Sequence, residues 1–209
     1  KVHTLYFVAK KKVYLMQHLL TPYSRKIEPF AWWNDGFSNE ELDWLQNKAK
    51  NAEVDAQIGG GGQGVSNPEI RQSELNWVNK DSESAWVFDK LSHIVSTLNA
   101  EHFGFDLTGF SEALQLTNYN GEKQGHYTWH QDFGAASVSR KLSVVIQLSN
   151  PEDYEGGELQ ILTSKEPMSI KKQRGLVVVF PSWTLHRVTP VTKGTRQTLV
   201  TWVSGPAFI

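Results

Sequence analysis

The stretch GLVVVFPSWTLHRVTPVTKGTRQTLVTWV, residues 175–203, decides the fold class of this chain. Its apolar run LVVVF predicts a buried strand, the following PSW turns the chain, and His186 opens the next strand. A turn at TKGT then leads into a last strand, QTLVTWV, which begins near Arg196. Short strands joined by turns of this kind predict a β-sandwich or barrel.

The same pattern extends back to Leu114, with strands recurring about every 8–12 residues. The predicted strands are LQLTNY, HYTWHQD, KLSVVIQL, ELQIL, MSI, LVVVF, LHRVTPV and QTLVTWV. Eight short strands separated by glycine, proline and asparagine predict a jelly roll in a mainly β (α+β) protein. In the GGEL turn, residues 156–159, we expect the glycines to turn the chain and Leu159 to pack inside.

The first half of the chain predicts helices and a few extended segments. Ser38 followed by Glu41 is a capping-box pattern, which predicts a helix over residues 39–52. A second helix is predicted over residues 84–103, because its apolar side chains recur at helical spacing. Strands are predicted at residues 30–33 and 71–79 and around Val13 and Leu15.

We expect a single domain, 1–209, because 209 residues lie at the upper end of one ordinary domain. A support region, 1–112, is expected to place its helices on one sheet of a jelly-roll core, 113–206. The glycine run at 59–62 is not followed by the Gly-Lys-Ser/Thr of a phosphate-binding loop. It therefore predicts a flexible loop, with a role as a substrate lid left open.

Composition excludes several classes of function. The net charge of −1 gives no electrostatic support for binding nucleic acid or an anionic membrane. The absence of cysteine excludes disulfides and thiolate metal sites, so any metal must have nitrogen and oxygen ligands. No apolar run reaches the roughly 18 residues of a membrane span, and the N-terminal stretch is too short and lysine-rich for a signal peptide. We expect a cytoplasmic protein.

His130 and Asp132 are the first candidate metal ligands. Residues two apart on a strand point to the same face, so the imidazole and the carboxylate converge. His186, on a later strand, would complete a facial triad of the kind that binds non-haem Fe(II). By itself a His-x-Asp sequence is common and carries little weight. His126 lies four residues before His130 and is a candidate for supporting these ligands.

Arg196 makes the pattern specific. It follows His186 by ten residues, and 53 residues separate Asp132 from His186. A dicarboxylate that chelates iron through its keto-acid end leaves a second carboxylate free, which an arginine can bind with two parallel hydrogen bonds. The composite of triad and arginine predicts an iron site with a keto-acid co-substrate.

With these residues in place, the sequence resembles the 2-oxoglutarate/Fe(II) dioxygenases of the prolyl 4-hydroxylase type, and most closely the PKHD-type hydroxylases of bacteria and phages. The resemblance covers about residues 71–206. It is strongest in NYNGEKQGHYTWHQD, RKLSVVIQLSNPEDYEGGELQI and GLVVVFPSWTLHRVTPVTKGTRQTLVTWV. It implies a double-stranded β-helix with iron held by His130, Asp132 and His186, and 2-oxoglutarate held by Arg196.

The resemblance also implies roles for aromatic residues around the iron. Tyr119 would hydrogen-bond the co-substrate, Tyr127 would face the substrate or the iron, and Trp202 would line the pocket floor. More distant relatives, the oxygen-sensing prolyl hydroxylases of animals, have a tyrosine where this chain has Gln147. Gln147 remains a candidate ligand of the co-substrate carboxylate, and Ser143 is a further candidate for binding the co-substrate. Gln147 shares a strand face with Ser143 and Val145, so we expect either all three or none to line the pocket.

The implied reaction is hydroxylation of a C–H bond with Fe(II), 2-oxoglutarate and O2, with succinate and CO2 as co-products and ascorbate as a candidate stimulant. A peptidyl proline is the first candidate substrate, and a free amino acid or small metabolite is the alternative. Trp77, Tyr127 and Trp183 can cradle a proline ring, although packing in the core is the more ordinary role of such side chains. A jelly-roll binding module without turnover is the remaining alternative. Arg140 is left open between the surface and the pocket rim.

Overall fold

The computed structural model describes residues 27–52, 54–58, 64–134 and 137–207, which form two antiparallel sheets and two α-helices. The helices are α1 (Asn39–Lys50) and α2 (Ala85–Leu98), and one π-helical turn, Asn99–Phe103, continues α2. The strands are β1 (Ala31–Trp33), β2 (Val54–Asp55), β3 (Arg71–Gln72), β4 (Glu74–Val78), β5 (Leu114–Asn120), β6 (His126–His130), β7 (Arg140–Gln147), β8 (Tyr154–Gly156), β9 (Leu159–Leu162), β10 (Met168–Ser169), β11 (Val177–Pro181), β12 (Leu185–Val188) and β13 (Val191–Ser204).

The larger sheet has the strand order β1-β11-β7-β13-β5-β4-β2, with β8 paired to β13 beside this path. The smaller sheet has the order β10-β9-β12-β6-β3. Every pairing is antiparallel. The predicted mainly β architecture is thereby confirmed. None of the helices described is long and apolar enough to cross a membrane.

The predicted strand at 71–79 is wrong in one respect, because it is two strands. The chain leaves the smaller sheet after β3, passes Ser73, and enters the larger sheet as β4. Ser73 is buried at this crossing, where its carbonyl accepts a hydrogen bond from the Ala56 N–H and its hydroxyl one from Arg71. The predicted strand at 30–33 is confirmed as β1, whereas Val13, Leu15 and the glycines at 59–62 lie outside the described residues.

Helix α1 begins where the capping box predicted it. The Ser38 hydroxyl accepts from the Glu41 N–H at 3.3 Å, and the Glu41 carboxylate accepts from the Ser38 N–H at 2.7 Å. Helix α2 is shorter than the predicted 84–103, because the last turn widens into the π-helical turn. Gly104, at φ +70°, then ends the helical segment in a left-handed conformation.

Both helices contribute to one apolar core with the outer face of the larger sheet. Buried side chains of α1 and α2, among them Leu45 and Leu91, share this cluster with Leu116, Ile146 and Leu199. The space between the sheets holds a second, smaller cluster, whose members include Val145, Leu159, Ile161, Val178 and Phe180. Leu159 is buried as the GGEL turn predicted, and both glycines of that turn have positive φ.

The last strand departs from its predicted start. β13 runs from Val191 to Ser204 and passes through TKGT, so Arg196 lies inside the strand rather than after a turn. Gly194 makes this possible, because its φ is +69° and its Cα lies against the carbonyl of Asp153. The register of β13 against β8 shifts between Val191 and Lys193, which marks a bulge.

We expect Gly194→Ala to lower the free energy of unfolding by about 2 kcal/mol or more, because alanine is strained at this φ. An added Cβ would also lie only 2.0 Å from the Asp153 oxygen. Thr192→Ala, at an exposed position of the same strand, is the matched control and should cost little. Urea unfolding of both variants measures the difference, and equal midpoints would contradict a requirement for glycine at position 194.

Candidate metal centre and its cavity

A cavity of about 550 Å³ lies between the two sheets. Its walls come from β2, β4, β5, β7 and β13 of the larger sheet and from β3, β6, β9 and β12 of the smaller sheet. Along β13 the lining side chains are Arg196, Thr198, Val200 and Trp202, which alternate with residues that face the helices. The period of two residues along this strand therefore determines which side chains enter the cavity.

His130, Asp132 and His186 meet in this cavity, with one ligand atom of each within 4.8 Å of the others. His186 Nε2 lies 3.6 Å from Asp132 Oδ2, and His130 Nε2 lies 3.8 Å from Asp132 Oδ1. His130 and His186 are opposite each other in the β6–β12 pair. Asp132, however, lies past the end of β6, where its N–H donates to the Ser182 carbonyl at 2.9 Å. Pairing beyond the strand end, rather than a continuous strand, brings the carboxylate to the histidines.

Both imidazoles are oriented by backbone carbonyls. His130 Nδ1 lies 2.8 Å from the carbonyl oxygen of Thr128, and His186 Nδ1 lies 2.8 Å from that of Thr184. A carbonyl oxygen only accepts hydrogen bonds, so each Nδ1 carries the proton and each Nε2 keeps its lone pair. The two Nε2 atoms are therefore available as metal ligands.

The acidity of the ligands suits metal binding. Burial, together with the neighbouring His186, lowers the pKa of the His130 imidazole below its usual value of 6.5. Burial acts to raise the pKa of the Asp132 carboxyl, but His186, His130 and a hydrogen bond from Ser143 outweigh it and lower this pKa. Ser143 Oγ donates to Asp132 Oδ2 at 2.6 Å. These shifts favour a neutral His130 imidazole and an ionised Asp132 carboxylate.

A bulge in β6 brings Tyr127 to the same cavity. His186 and Val188, two residues apart on β12, are opposite His130 and Tyr127, three residues apart on β6. In a regular strand Tyr127 and His130 would face opposite sides. Instead their rings stack, with centroids 3.5 Å apart and planes 15° apart. The implied position of Tyr127 beside the iron ligands agrees with this placement.

Arg196 is buried in the cavity wall with only 2% of its surface exposed. Its Nε and Nη2 have no hydrogen-bond partner among the described residues. Tyr119 lies across from it in the β5–β13 pair, and the guanidinium carbon is 5.4 Å from the Tyr119 ring centroid. Burial raises the pKa of the nearby Tyr154 hydroxyl, and Arg196 opposes this effect. Buried N–H groups without a partner are costly, so the Nε and Nη2 of Arg196 fit a carboxylate that completes their hydrogen bonds.

These observations answer what the site can hold. Two imidazoles and one carboxylate with open positions form the donor set of non-haem Fe(II). The unpartnered N–H groups of Arg196 line the same cavity as this cluster. The residues present therefore fit both Fe(II) and a co-substrate with a distal carboxylate.

Gln147 is placed differently from the sequence prediction. Val145 lines the cavity and Ser143 contacts Asp132, but the Gln147 side chain donates to the Lys171 carbonyl at 2.6 Å and does not line the cavity. The expectation that all three residues or none would line it was wrong, because the strand face continues past the end of the cavity. This geometry gives no support to Gln147 as a co-substrate ligand.

The aromatic candidates also divide. Trp202 lines the cavity, and so does Trp77, whose side chain is 46% exposed and is therefore not packed in the core. Trp183 does not line it and packs edge-on against Phe105 with centroids 5.4 Å apart. The predicted substrate contact of Trp183 is not supported by this position.

His126 contacts the carbonyls of Gln124 and Glu69 and does not support the metal ligands.

Arg140, which the sequence left open between the surface and the pocket rim, lines the cavity, and it pairs with Glu112, which sequence reasoning did not single out. Arg140 Nε and Nη2 donate to the Glu112 carboxylate at 2.7 and 2.5 Å, and its Nη1 donates to the Asp132 carbonyl at 3.2 Å. The guanidinium carbon also lies 3.7 Å from the ring centroid of Trp202. No spacing in the sequence connects Glu112 with Arg140, so this pair could not be found without the fold.

Residues 114–204 match the family model of the 2OG-Fe(II) oxygenase superfamily. A PKHD-type hydroxylase of Prochlorococcus marinus is 44% identical over 82 residues, which cover 39% of this chain and 37% of that protein. A PKHD-type hydroxylase of Hyphomonas neptunium is 47% identical over 70 residues, which cover 34% of this chain and 31% of that protein. The chain thus spans about a third of the length of these curated relatives.

Solved structures share the fold over most of the chain. A prolyl hydroxylase of Trichoplax adhaerens, in complex with a peptide fragment of hypoxia inducible factor, has a TM-score of 0.70 at 18% identity and covers 84% of this chain and 83% of its own. A prolyl-4-hydroxylase of Pseudomonas putida has a TM-score of 0.66 at 16% identity and covers 86% and 94%. Residues 114–204, which include the His-Asp-His cluster, are thus similar to the 2OG-Fe(II) oxygenase superfamily, and most of the chain shares its fold with these prolyl hydroxylases.

Proposed function

We propose that this protein hydroxylates a C–H bond of its substrate with Fe(II), 2-oxoglutarate and O2, and that the substrate is a peptidyl proline. One observation carries the proposal. The buried Arg196, with two N–H-bearing atoms unpartnered, lines the same cavity as the His130–Asp132–His186 cluster. A binding module without turnover needs neither feature, and their combination fits an iron chelated by a dicarboxylate.

The roles of the residues follow from their contacts. Bound Fe(II) and 2-oxoglutarate supply the oxidising chemistry with O2, yielding succinate and CO2 as co-products. The histidines, oriented through Nδ1, hold the metal with their Nε2 atoms together with the Asp132 carboxylate, and Ser143 donates a hydrogen bond to Oδ2 of Asp132. Arg196 binds the distal carboxylate beside Tyr119. Apolar lining residues, including Val145, Leu159, Val188 and Val200, exclude water from the cavity.

A peptide substrate is supported by the shape of the site and by the structural relatives. Trp77 is exposed at the cavity, where an aromatic face can pack against a proline ring. The Trichoplax protein, which shares the fold, is a prolyl hydroxylase bound to a peptide. A viral protein with a TM-score of 0.62 is a collagen prolyl hydroxylase with 2OG bound. These likenesses favour proline in a chain over a free metabolite.

We expect Asp132→Ala to reduce iron-dependent succinate formation by more than about a hundredfold, because removing a metal ligand exceeds the usual loss from removing one of its supporting partners. Glu152→Ala, an exposed carboxylate, is the control for expression and folding. Succinate is measured by mass spectrometry after incubation with Fe(II), 2-oxoglutarate and a peptide digest. Turnover at the wild-type rate in Asp132→Ala would refute the triad.

Arg196→Gln should weaken 2-oxoglutarate binding by about thirtyfold or more, because truncating a desolvated charged contact costs about 2–5 kcal/mol. Metal affinity should change little, since Arg196 is not a ligand. Anaerobic calorimetry with Mn(II) in place of Fe(II) measures both constants. Gln147→Ala is the comparison, because its amide is bonded to the Lys171 carbonyl. If Gln147→Ala weakens 2-oxoglutarate binding as much as Arg196→Gln does, our assignment of the carboxylate site is wrong.

The metal-free protein should lose stability as the pH falls from about 7 to 5. The folded-state pKa of His130 is lowered below 6.5, so the unfolded chain takes up the proton first. This one group contributes at most about 1.4 kcal/mol per pH unit in that window. His130→Gln removes the group, and its unfolding free energy should therefore depend less on pH. Urea unfolding with a chelator tests this, and parallel pH profiles for both proteins would contradict it.

A further inference from the structure

The cavity wall carries three arginines, and only two of them have an assigned anion. Arg71, Arg140 and Arg196 all line it. Arg140 is paired with the Glu112 carboxylate, and Arg196 binds 2-oxoglutarate in the proposed function. Arg71 has no carboxylate within ion-pair distance among the residues that the structure describes. Within the described part of the chain, Arg71 is therefore a cavity-lining cation without a direct ion-pair partner, although the Asp55 and Asp132 carboxylates line the same cavity.

Arg71 is nevertheless held in a fixed position. It lies in β3 opposite Tyr127 of β6. Its Nε donates to the Ser73 hydroxyl at 3.1 Å and its Nη2 to Gln115 Oε1 at 2.8 Å, and both acceptors are neutral. The guanidinium carbon lies 4.7 Å from the Tyr127 ring centroid. These contacts orient the cation without neutralising it, as in a site prepared for an anion.

The position of Arg71 relates it to the reaction. Tyr127 stacks on His130 at 3.5 Å, so the guanidinium is separated from a metal ligand by a single aromatic ring. Consecutive Cα atoms of a peptide are about 3.8 Å apart. A group one or two residues from the oxidised carbon can therefore reach Arg71 while that carbon lies at the iron.

We propose that Arg71 binds a carboxylate of the substrate, so that the protein selects substrates with an acidic group close to the oxidised carbon. This inference rests on the proposed hydroxylase function. The carboxylate can be an Asp or Glu side chain in a peptide or the α-carboxylate of an amino acid. A carboxylate forms charge-assisted hydrogen bonds with Arg71 and supplies the ion-pair partner that the described residues do not. A lysine side chain of the substrate at the same position is repelled by the positive charge of Arg71.

Methyl esterification tests the proposal because it removes every carboxylate. A chymotryptic digest of a cell lysate and a pool of free amino acids, each native and esterified, are incubated with Fe(II), 2-oxoglutarate and ¹⁸O2. Incorporated oxygen is mapped by mass spectrometry, and the two arms distinguish peptide from amino acid. We expect esterification to reduce wild-type hydroxylation about tenfold or more, the usual loss of a hydrogen bond between charged groups. In Arg71→Gln the native and esterified substrates should react alike, and Arg71→Glu should favour substrates with lysine or arginine.

Arg187→Gln is the matched control. Arg187 stacks on Trp129 with its guanidinium carbon 4.6 Å from the ring centroid and donates to Gln160 at 2.8 Å, but it does not line the cavity. The preference of the Arg187→Gln variant for native over esterified substrates should equal that of the wild type. Equal wild-type hydroxylation of native and esterified substrates, or a preference that persists in Arg71→Gln, would overturn the proposal. No incorporated oxygen in either arm, with 2-oxoglutarate binding intact, would instead contradict the hydroxylase function itself.

Discussion

The antiparallel pairing of β13 with both β5 and β7 is the constraint on which the rest of the structure depends. Because side chains alternate along a strand, this pairing sends Leu199 and Val203 to the helices and Arg196 and Trp202 to the cavity. A slip of one residue would bury the guanidinium among the apolar side chains of the helices. The apolar packing against α1 and α2 and the polar chemistry of the cavity therefore fix each other's register.

The metal ligands are oriented by the backbone more than by other side chains. Each imidazole is bound through Nδ1 to the carbonyl two residues before it, Thr128 for His130 and Thr184 for His186. A carbonyl is supplied by any residue, so this orientation depends on strand geometry and not on residue type. Asp132 is the exception, because Ser143 holds its carboxylate from the larger sheet. The site thus joins the two sheets at one point.

Sequence reasoning predicted the features that depend on local sequence patterns and on the resemblance to a known family. The capping box at Ser38, the strands and the triad with Arg196 all depend on spacing or on turn residues. It did not predict features that depend on a partner strand. The bulge that turns Tyr127 into the cavity exists only in the pairing of β6 with β12, and Gln147 leaves the cavity because its partner is a distant main-chain oxygen. For Trp183 both a substrate contact and packing were open, and its contact with Phe105 could not be predicted because it joins two remote segments. The support region is also more than a scaffold, because it supplies Arg71 and Trp77 to the cavity wall.

The fixed orientation of the two imidazoles affects which metal the protein binds. Ligands that are already oriented bind any divalent ion of suitable size, and Fe(II) ranks below Co(II), Ni(II) and Cu(II) in intrinsic affinity, with Zn(II) also a strong competitor for nitrogen ligands. No cysteine is present to shift this order toward a softer metal. Occupancy by iron therefore depends on the supply of metal in the cell as well as on the donor set and geometry of the site. Protein purified in air, where ferrous iron is scarce and nickel or zinc is often abundant, will tend to carry a metal that occupies the site without supporting catalysis.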